Sequence, residues 1–97
     1  MTVTSQISFR KATEEEYLRC EQVLGQAKKR WLDVLYLFAA GLHPQEVADR
    51  LRLSRKTVDT YNTHLLELCR SAWDMRPDKY LDYHFLCEKF AKHFNSM

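Results

Sequence analysis

The sequence has little glycine and proline, with two residues of each among 97. A glycine-rich loop of the kind that cradles phosphate groups is therefore absent. No stretch approaches the roughly 18 apolar residues that span a bilayer, and residues 1–16 lack the apolar centre of a signal peptide. These absences argue against a nucleotide-binding loop, a membrane protein and a secreted precursor, and we expect a cytoplasmic location.

Cysteine is also scarce, and its three positions, Cys20, Cys69 and Cys87, form no CxxC pair. An odd number of widely spaced cysteines does not suggest a disulfide framework and fits a reducing compartment. His84 and Cys87 could offer two zinc ligands, but no second pair completes a set of four. Because no activated nucleophile or paired carboxylates stand out either, we predict no metal, no cofactor and no enzyme activity.

The charge is nearly balanced, since 15 basic and 13 acidic residues give a formal net charge of +2. The total charge therefore gives no bulk attraction to nucleic acid or membrane, and any nucleic-acid-binding site must be local. At 97 residues and 45% hydrophobic content, the chain suffices for one core but not for two. We expect a single domain.

What the sequence does contain is helical periodicity. Residues 1–12 show no clear period, and we predict an arm that is disordered in the absence of a partner. Thr13 and Glu16 form a capping box that predicts a helix start. The next segment, 27–40, is apolar around much of its circumference and predicts a central core helix. Gly41 follows as a left-handed C-cap.

Three further helices are predicted over residues 44–52, 55–71 and 78–94. Ser54 is a suitable N-cap for the second of them, and Pro77 fits the first turn of the third. No strand-like alternation of useful length occurs. The predicted fold is all-α: one domain over residues 13–97, forming a small helical bundle with a helix-turn-helix, an N-terminal helix and a long C-terminal helix.

A short helix and a longer one, joined by a turn of about two or three residues, have the geometry of a helix-turn-helix. The run AAGLHPQEVADRLRLSRKTVDTYNTHLLEL also resembles the LuxR/GerE-type (NarL-like) DNA-binding domain. The resemblance covers about residues 27–70, and region 4 of sigma factors is the nearest similar family. The matching positions are Gly41, Leu42, Glu46, Val47, Ala48, Leu51, Leu53, Ser54, Thr57 and Val58.

Three positions depart from the family pattern. His43 replaces the usual serine cap, Tyr61 replaces a histidine, and Asp59 replaces the lysine that follows Thr-Val. Only Asp59 bears directly on DNA, because it lies on the face that should enter the groove. On a helical wheel that face consists of Lys56, Asp59, Thr60, Thr63, Glu67 and Arg70. It therefore carries two cations and two anions. The opposite face, which we predict to be buried, carries Val58, Tyr61, Leu65, Leu68 and Cys69.

Candidate DNA contacts divide into two groups. Asp59, Thr60 and Thr63 offer base-reading chemistry, since a carboxylate accepts from cytosine N4 and threonine contacts either base type. Phosphate contacts are expected around the turn, where Ser54 and Thr57 resemble family positions that donate to phosphate, and where positive charge gathers at Arg50, Arg52, Arg55 and Lys56. The plain alternative for each residue is a solvated helix surface.

The C-terminal segment, 77–94, carries apolar residues on more than one side. In the family the helix after the recognition helix often forms the dimer contact, so the resemblance implies a dimerisation role for Leu81, Phe85, Leu86 and Phe90. Core packing alone is the alternative.

The first functional hypothesis is a stand-alone, homodimeric transcriptional regulator that binds double-stranded DNA. We describe it as stand-alone because only about 26 residues precede the family-like segment, too few for a receiver or sensing domain. The second hypothesis is an interaction protein that uses the helix-turn-helix scaffold to bind another regulator or the transcription machinery. The neutral outward face favours the second, and the matched motif favours the first.

Overall fold

The computed structural model describes the backbone of residues 2–95 and the side chains of residues 14–95. This part of the chain contains no strand, and none of its helices has the length and hydropathy needed to cross a membrane. The predicted all-α class is therefore confirmed. The five helices are α1 (Thr2–Gln26), α2 (Lys29–Ala39), α3 (Pro44–Leu51), α4 (Arg55–Ala72) and α5 (Tyr83–Asn95).

The core forms around α2, which packs most extensively on α5 and also contacts α3 and α4. Its inward residues Val34, Leu35 and Phe38 are fully buried, as expected of a central helix. On the other side of the bundle, α1 packs chiefly on α4. The helix-turn-helix formed by α3 and α4 is thus held by α2 and α1 together.

The turn after α2 is fixed by glycine. Gly41 has φ 95°, in the left-handed region where a side chain is strained. Its N–H donates to the Phe38 carbonyl at 2.9 Å, and the Leu42 N–H donates to the Leu37 carbonyl at 3.1 Å. These two bonds satisfy carbonyls that the helix end leaves open. The predicted C-cap is confirmed.

His43 caps α3 in the place where the family has serine. Its Nδ1 accepts from the Gln45 N–H at 3.3 Å, and its own N–H donates to Glu46 Oε1 at 2.9 Å. The ring also meets Tyr83 of α5 edge-on, with centroids 5.9 Å apart. The substitution therefore preserves the cap and adds a contact to the last helix.

The start of α1 differs from the prediction. The helix already runs from Thr2, whereas the sequence predicted a disordered arm over 1–12 and a start at Thr13. Nothing in residues 2–12 stops a helix, because the segment contains neither glycine nor proline. The side chains of these residues, and with them the Thr13 cap, lie outside the described part.

Glu16 has a tertiary role instead of the predicted capping role. Its carboxylate accepts from Trp73 Nε1 at 3.3 Å and pairs with Lys89 Nζ at 3.2 Å. Because α1 continues toward the N-terminus, there is no helix end at Glu16 for its side chain to cap. The carboxylate instead ties α1 to the end of α4 and to α5.

The start of α5 also differs. The helix begins at Tyr83, whereas a start just after Pro77 was predicted. Asp82 provides the N-cap, since its Oδ1 accepts from the His84 N–H at 3.0 Å. A capping aspartate accepts a hydrogen bond from a free N–H of the first turn, whereas proline supplies no such acceptor side chain. Leu81 consequently lies in the loop before the helix.

Candidate nucleic-acid interface

The turn between α3 and α4 is short and tightly bonded. Arg52 ends α3 in a left-handed conformation with φ 56°, and the Leu53 N–H donates to the Ala48 carbonyl at 2.9 Å. Leu53 is half-buried against the core, and Ser54 then caps α4. This arrangement fixes the direction in which α4 leaves the turn.

Ser54 and Thr57, both predicted to contact phosphate, are bonded to each other. Ser54 Oγ accepts from the Thr57 N–H at 3.0 Å and donates to Thr57 Oγ1 at 2.8 Å. The predicted N-cap is confirmed. Phosphate contact by these two residues stays a prediction.

α4 has one buried face and one exposed face, as its 3.6-residue period requires. Its fully buried residues are Val58, Leu65 and Cys69, with Leu66 nearly so, and Tyr61 and Leu68 are half-buried. Arg55 and Ser71 are exposed near the two ends of the helix, and between them the exposed residues are Lys56, Asp59, Thr60, Thr63 and Glu67. This set is called the outward face below.

Arg70 departs from the predicted outward face. It is half-buried, and its Nη2 donates to the Lys79 carbonyl at 3.2 Å in the loop after α4. Its Nε is buried without a hydrogen-bond partner within the described residues. Arg70 therefore holds the loop rather than extending toward solvent.

An ion pair at the start of α4 joins two of the predicted DNA contacts. Arg55 Nε lies 3.1 Å from Asp59 Oδ1, and both side chains are about half exposed. An exposed pair of this kind contributes only about 0–1 kcal/mol, so a phosphate could displace the carboxylate at small cost. This ion pair was not predicted from the sequence, although an arginine and an aspartate four residues apart on a helix are its usual signal.

The two threonines of the outward face direct their hydroxyl hydrogens back into the helix. Thr60 Oγ1 donates to the Lys56 carbonyl, and Thr63 Oγ1 donates to the Asp59 carbonyl, each at 3.0 Å. This bonding fixes the side-chain rotamers. The oxygen lone pairs remain available.

The residues predicted to mediate dimerisation do not form one surface. Leu86 and Phe90 are fully buried within a single chain and fill the core. Phe85 is half-buried and meets Trp73 edge-on, with centroids 5.3 Å apart, and Leu81 is half-buried in the loop. Most apolar residues of α5 are therefore buried within one chain, where this helix packs on α2. Leu86 and Phe90 are core residues and not the dimer contacts that were predicted.

The start of α2 also lies against α4. The Trp31 ring stacks on His64, with centroids 4.7 Å apart and an interplanar angle of 12°. Lys28 Nζ lies 5.6 Å from the centroid of the Trp31 ring. His64 is one turn beyond Thr60, at the border of the outward face. No local sequence signal could reveal this contact, because it joins distant parts of the chain.

The buried thiols are unsuited to nucleophilic chemistry. Burial raises the pKa of Cys69 to about 12 and that of Cys20 to about 11. The neighbouring Glu16 carboxylate also raises the pKa of Cys20. Within the described side chains, no group of three or more potential metal ligands comes together.

Comparison with known families gives one match. Residues 29–67 match the family model described as "GerE: Bacterial regulatory proteins, luxR family". Searches of curated proteins and of solved structures found no significant match. The matched segment begins with α2, includes all of α3 and extends through most of α4. This segment is thus similar to LuxR-type helix-turn-helix domains of bacterial regulatory proteins, and the match supports DNA-binding transcription regulation.

Proposed function

We propose that this LuxR-type domain binds duplex DNA sequence-specifically, with α4 in the major groove, and that the protein regulates transcription as a homodimer. The observation that supports the proposal most directly is the outward face of α4. Five consecutive members of one helical stripe are exposed while the opposite stripe is buried, as a groove-docked helix requires.

The proposed contacts follow from the position of each side chain. Asp59, Thr60 and Thr63 lie in the middle of the outward face and would meet base edges. The turn and the first residues of α4 would meet phosphates, which position a docked helix without reading sequence. The proposed phosphate contacts are Arg50, Arg52, Ser54, Arg55, Lys56 and Thr57.

Self-association is proposed through the loop before α5, because surface remains there. Tyr80 is 80% exposed, the next residue, Leu81, is half-buried, and so is Phe85 near the start of α5. A dimer would set two copies of α4 about one DNA turn apart and require a near-palindromic site. Light scattering on the full chain at high micromolar concentration tests this: a mass of one chain contradicts it, and Tyr80→Ser with Leu81→Ser should convert a dimer to monomer.

The DNA proposal is tested by titrating a fluorescent random-sequence duplex at several salt concentrations. In the full chain, Arg55→Ala with Lys56→Ala should flatten the salt slope by roughly 2 for each bound protomer, since each lost phosphate contact removes about 0.9. Arg76→Ala with Lys92→Ala removes the same charge from exposed positions elsewhere and serves as the matched control. Failure of the unsubstituted protein to bind at low salt would rule out DNA binding.

A second candidate function is binding to another regulator or to the transcription machinery. The Arg55–Asp59 ion pair favours it, because the pair neutralises a cation at the start of the recognition helix. Under this alternative, Asp59→Lys should leave DNA affinity unchanged and disrupt a protein complex. Sequencing genomic fragments that co-purify with the protein separates the two functions, because only a DNA reader enriches a common motif.

A further inference from the structure

The start of α2 carries three consecutive cations, Lys28, Lys29 and Arg30, all exposed. No acidic residue lies in the first turn of the helix, and the Lys28 side chain makes no capping bond. None of the ion pairs formed within residues 14–95 includes any of the three. Cations at a helix N-terminus are disfavoured by about 0.3–1 kcal/mol each. The local arrangement is unfavourable by itself, and an external anion would relieve it.

The position of this basic run is set by the contact between Trp31 and His64. The stacked rings, 4.7 Å apart, hold the start of α2 against the border of the outward face of α4. His64 lies ten residues beyond Ser54, which corresponds to about 15 Å along a helix. Cations at these two places are thus separated along α4 by a distance comparable with the width of the major groove, which is about 12 Å.

We infer that Lys28, Lys29 and Arg30 form a second phosphate-binding surface, which contacts the DNA backbone beyond the far half of α4. This inference rests on the proposed function. The basic residues around the turn contact the backbone at the start of α4, and the α2 run contacts it on the other side. The outward face, which carries one cation and two anions, then needs to supply little electrostatic affinity. This division accounts for an anion at position 59 in a DNA-reading helix.

The test uses the full chain with Lys29→Ala and Arg30→Ala, leaving Lys28 on the Trp31 ring. The probe is the fluorescent random-sequence duplex at salt concentrations from about 50 to 200 mM. The slope of log affinity against log salt should become shallower by about 2 for each bound protomer, and affinity at low salt should fall roughly tenfold. The matched control, Arg76→Ala with Lys92→Ala, should keep the original slope.

An unchanged slope in the Lys29→Ala, Arg30→Ala variant overturns the inference and leaves an acidic protein surface as the partner of this run. An equal change in the control overturns it too, because the effect is then one of total charge. If the unsubstituted protein does not bind duplex at low salt, the proposed function itself fails. Should the alanine variant lose helicity by circular dichroism, Lys29→Gln with Arg30→Gln removes the charges but keeps polar, flexible side chains, and the same slope change is expected.

Discussion

The two helices of the C-terminal half, α4 and α5, use their surfaces differently. In α5, Leu86 and Phe90 are fully buried and even His93 is only 5% exposed, and none of the DNA contacts proposed above lies on this helix. α4 buries one stripe and leaves the other to solvent. Substitutions of the buried residues of α5 should therefore affect stability, whereas substitutions on the outward face of α4 should affect recognition and leave stability nearly intact.

His93 connects α5 to α1. Its Nε2 lies 2.8 Å from Glu21 Oε2, and its ring is 4.8 Å from that of Tyr17. Both partners belong to α1, which thereby becomes attached to α5. A polar residue on the inward side of α5 thus serves to join two helices that flank the LuxR-type segment.

The largest loss of stability is expected from a substitution of Phe90 in α5. Phe90→Ala should lower the free energy of unfolding by about 3–5 kcal/mol, because it removes a fully buried ring and leaves a cavity. Urea unfolding followed by circular dichroism measures the effect, and Glu88→Ala, at an exposed position of the same helix, is the control. Retained stability together with loss of a dimer would return Phe90 to an intersubunit role.

Asp59 tests the role of the outward face of α4 in DNA recognition. Asp59→Lys removes the carboxylate that holds Arg55 and adds a cation, so non-specific affinity should rise roughly tenfold and the salt slope should steepen by about 2. Discrimination between a preferred and a scrambled duplex should fall by about 1–3 kcal/mol if Asp59 contacts a base. Folding stability should change by less than about 1 kcal/mol. Unchanged affinity for both duplexes would contradict docking of this face in the groove.

Alkaline pH should weaken the packing of the interior. The pKa values of Cys20 and Cys69 are raised from 9.0 to about 11 and about 12, so the unfolded chain loses these protons first. The stabilisation that comes from keeping the two thiols protonated is complete below pH 9. It is lost as the pH rises toward the pKa values of the folded state. The expected loss at pH 10 is about 1 kcal/mol for each thiol. Urea unfolding at pH 8 and pH 10 measures it, and Cys69→Ala should show the smaller pH dependence.

The smallest effect on stability is expected in the turn, where a pair of arginine substitutions separates backbone strain from loss of charge. Arg52→Gly should raise the free energy of unfolding by up to about 1 kcal/mol, because glycine adopts the left-handed conformation without strain. Arg50→Gly removes the same charge from a helical position and should lower it by a similar amount. Both should weaken duplex binding if both arginines contact phosphate. A loss of stability at both positions would show that Arg52 is not strained.

The sequence was most informative where the signals are local. The ends of α2 and α3 and the start of α4 follow from residues such as Gly41 and Ser54, whose effect is confined to one turn. The fate of Leu86 and Phe90 could not be predicted in this way, because it depends on which face of α2 lies opposite. Likewise, the Arg55–Asp59 pair was visible as a four-residue spacing, whereas the Trp31–His64 stack depends on the tertiary arrangement.

The hydroxyl bonding of Thr60 and Thr63 limits which base groups the middle of α4 can recognise. With both hydroxyl hydrogens directed to backbone carbonyls and a carboxylate at Asp59, the three central side chains present hydrogen-bond acceptors and methyl groups but no donors. In the major groove, acceptors pair with adenine N6 and cytosine N4, while guanine offers only acceptors there. Docked in the groove, this stretch would recognise a guanine only through the cytosine paired with it.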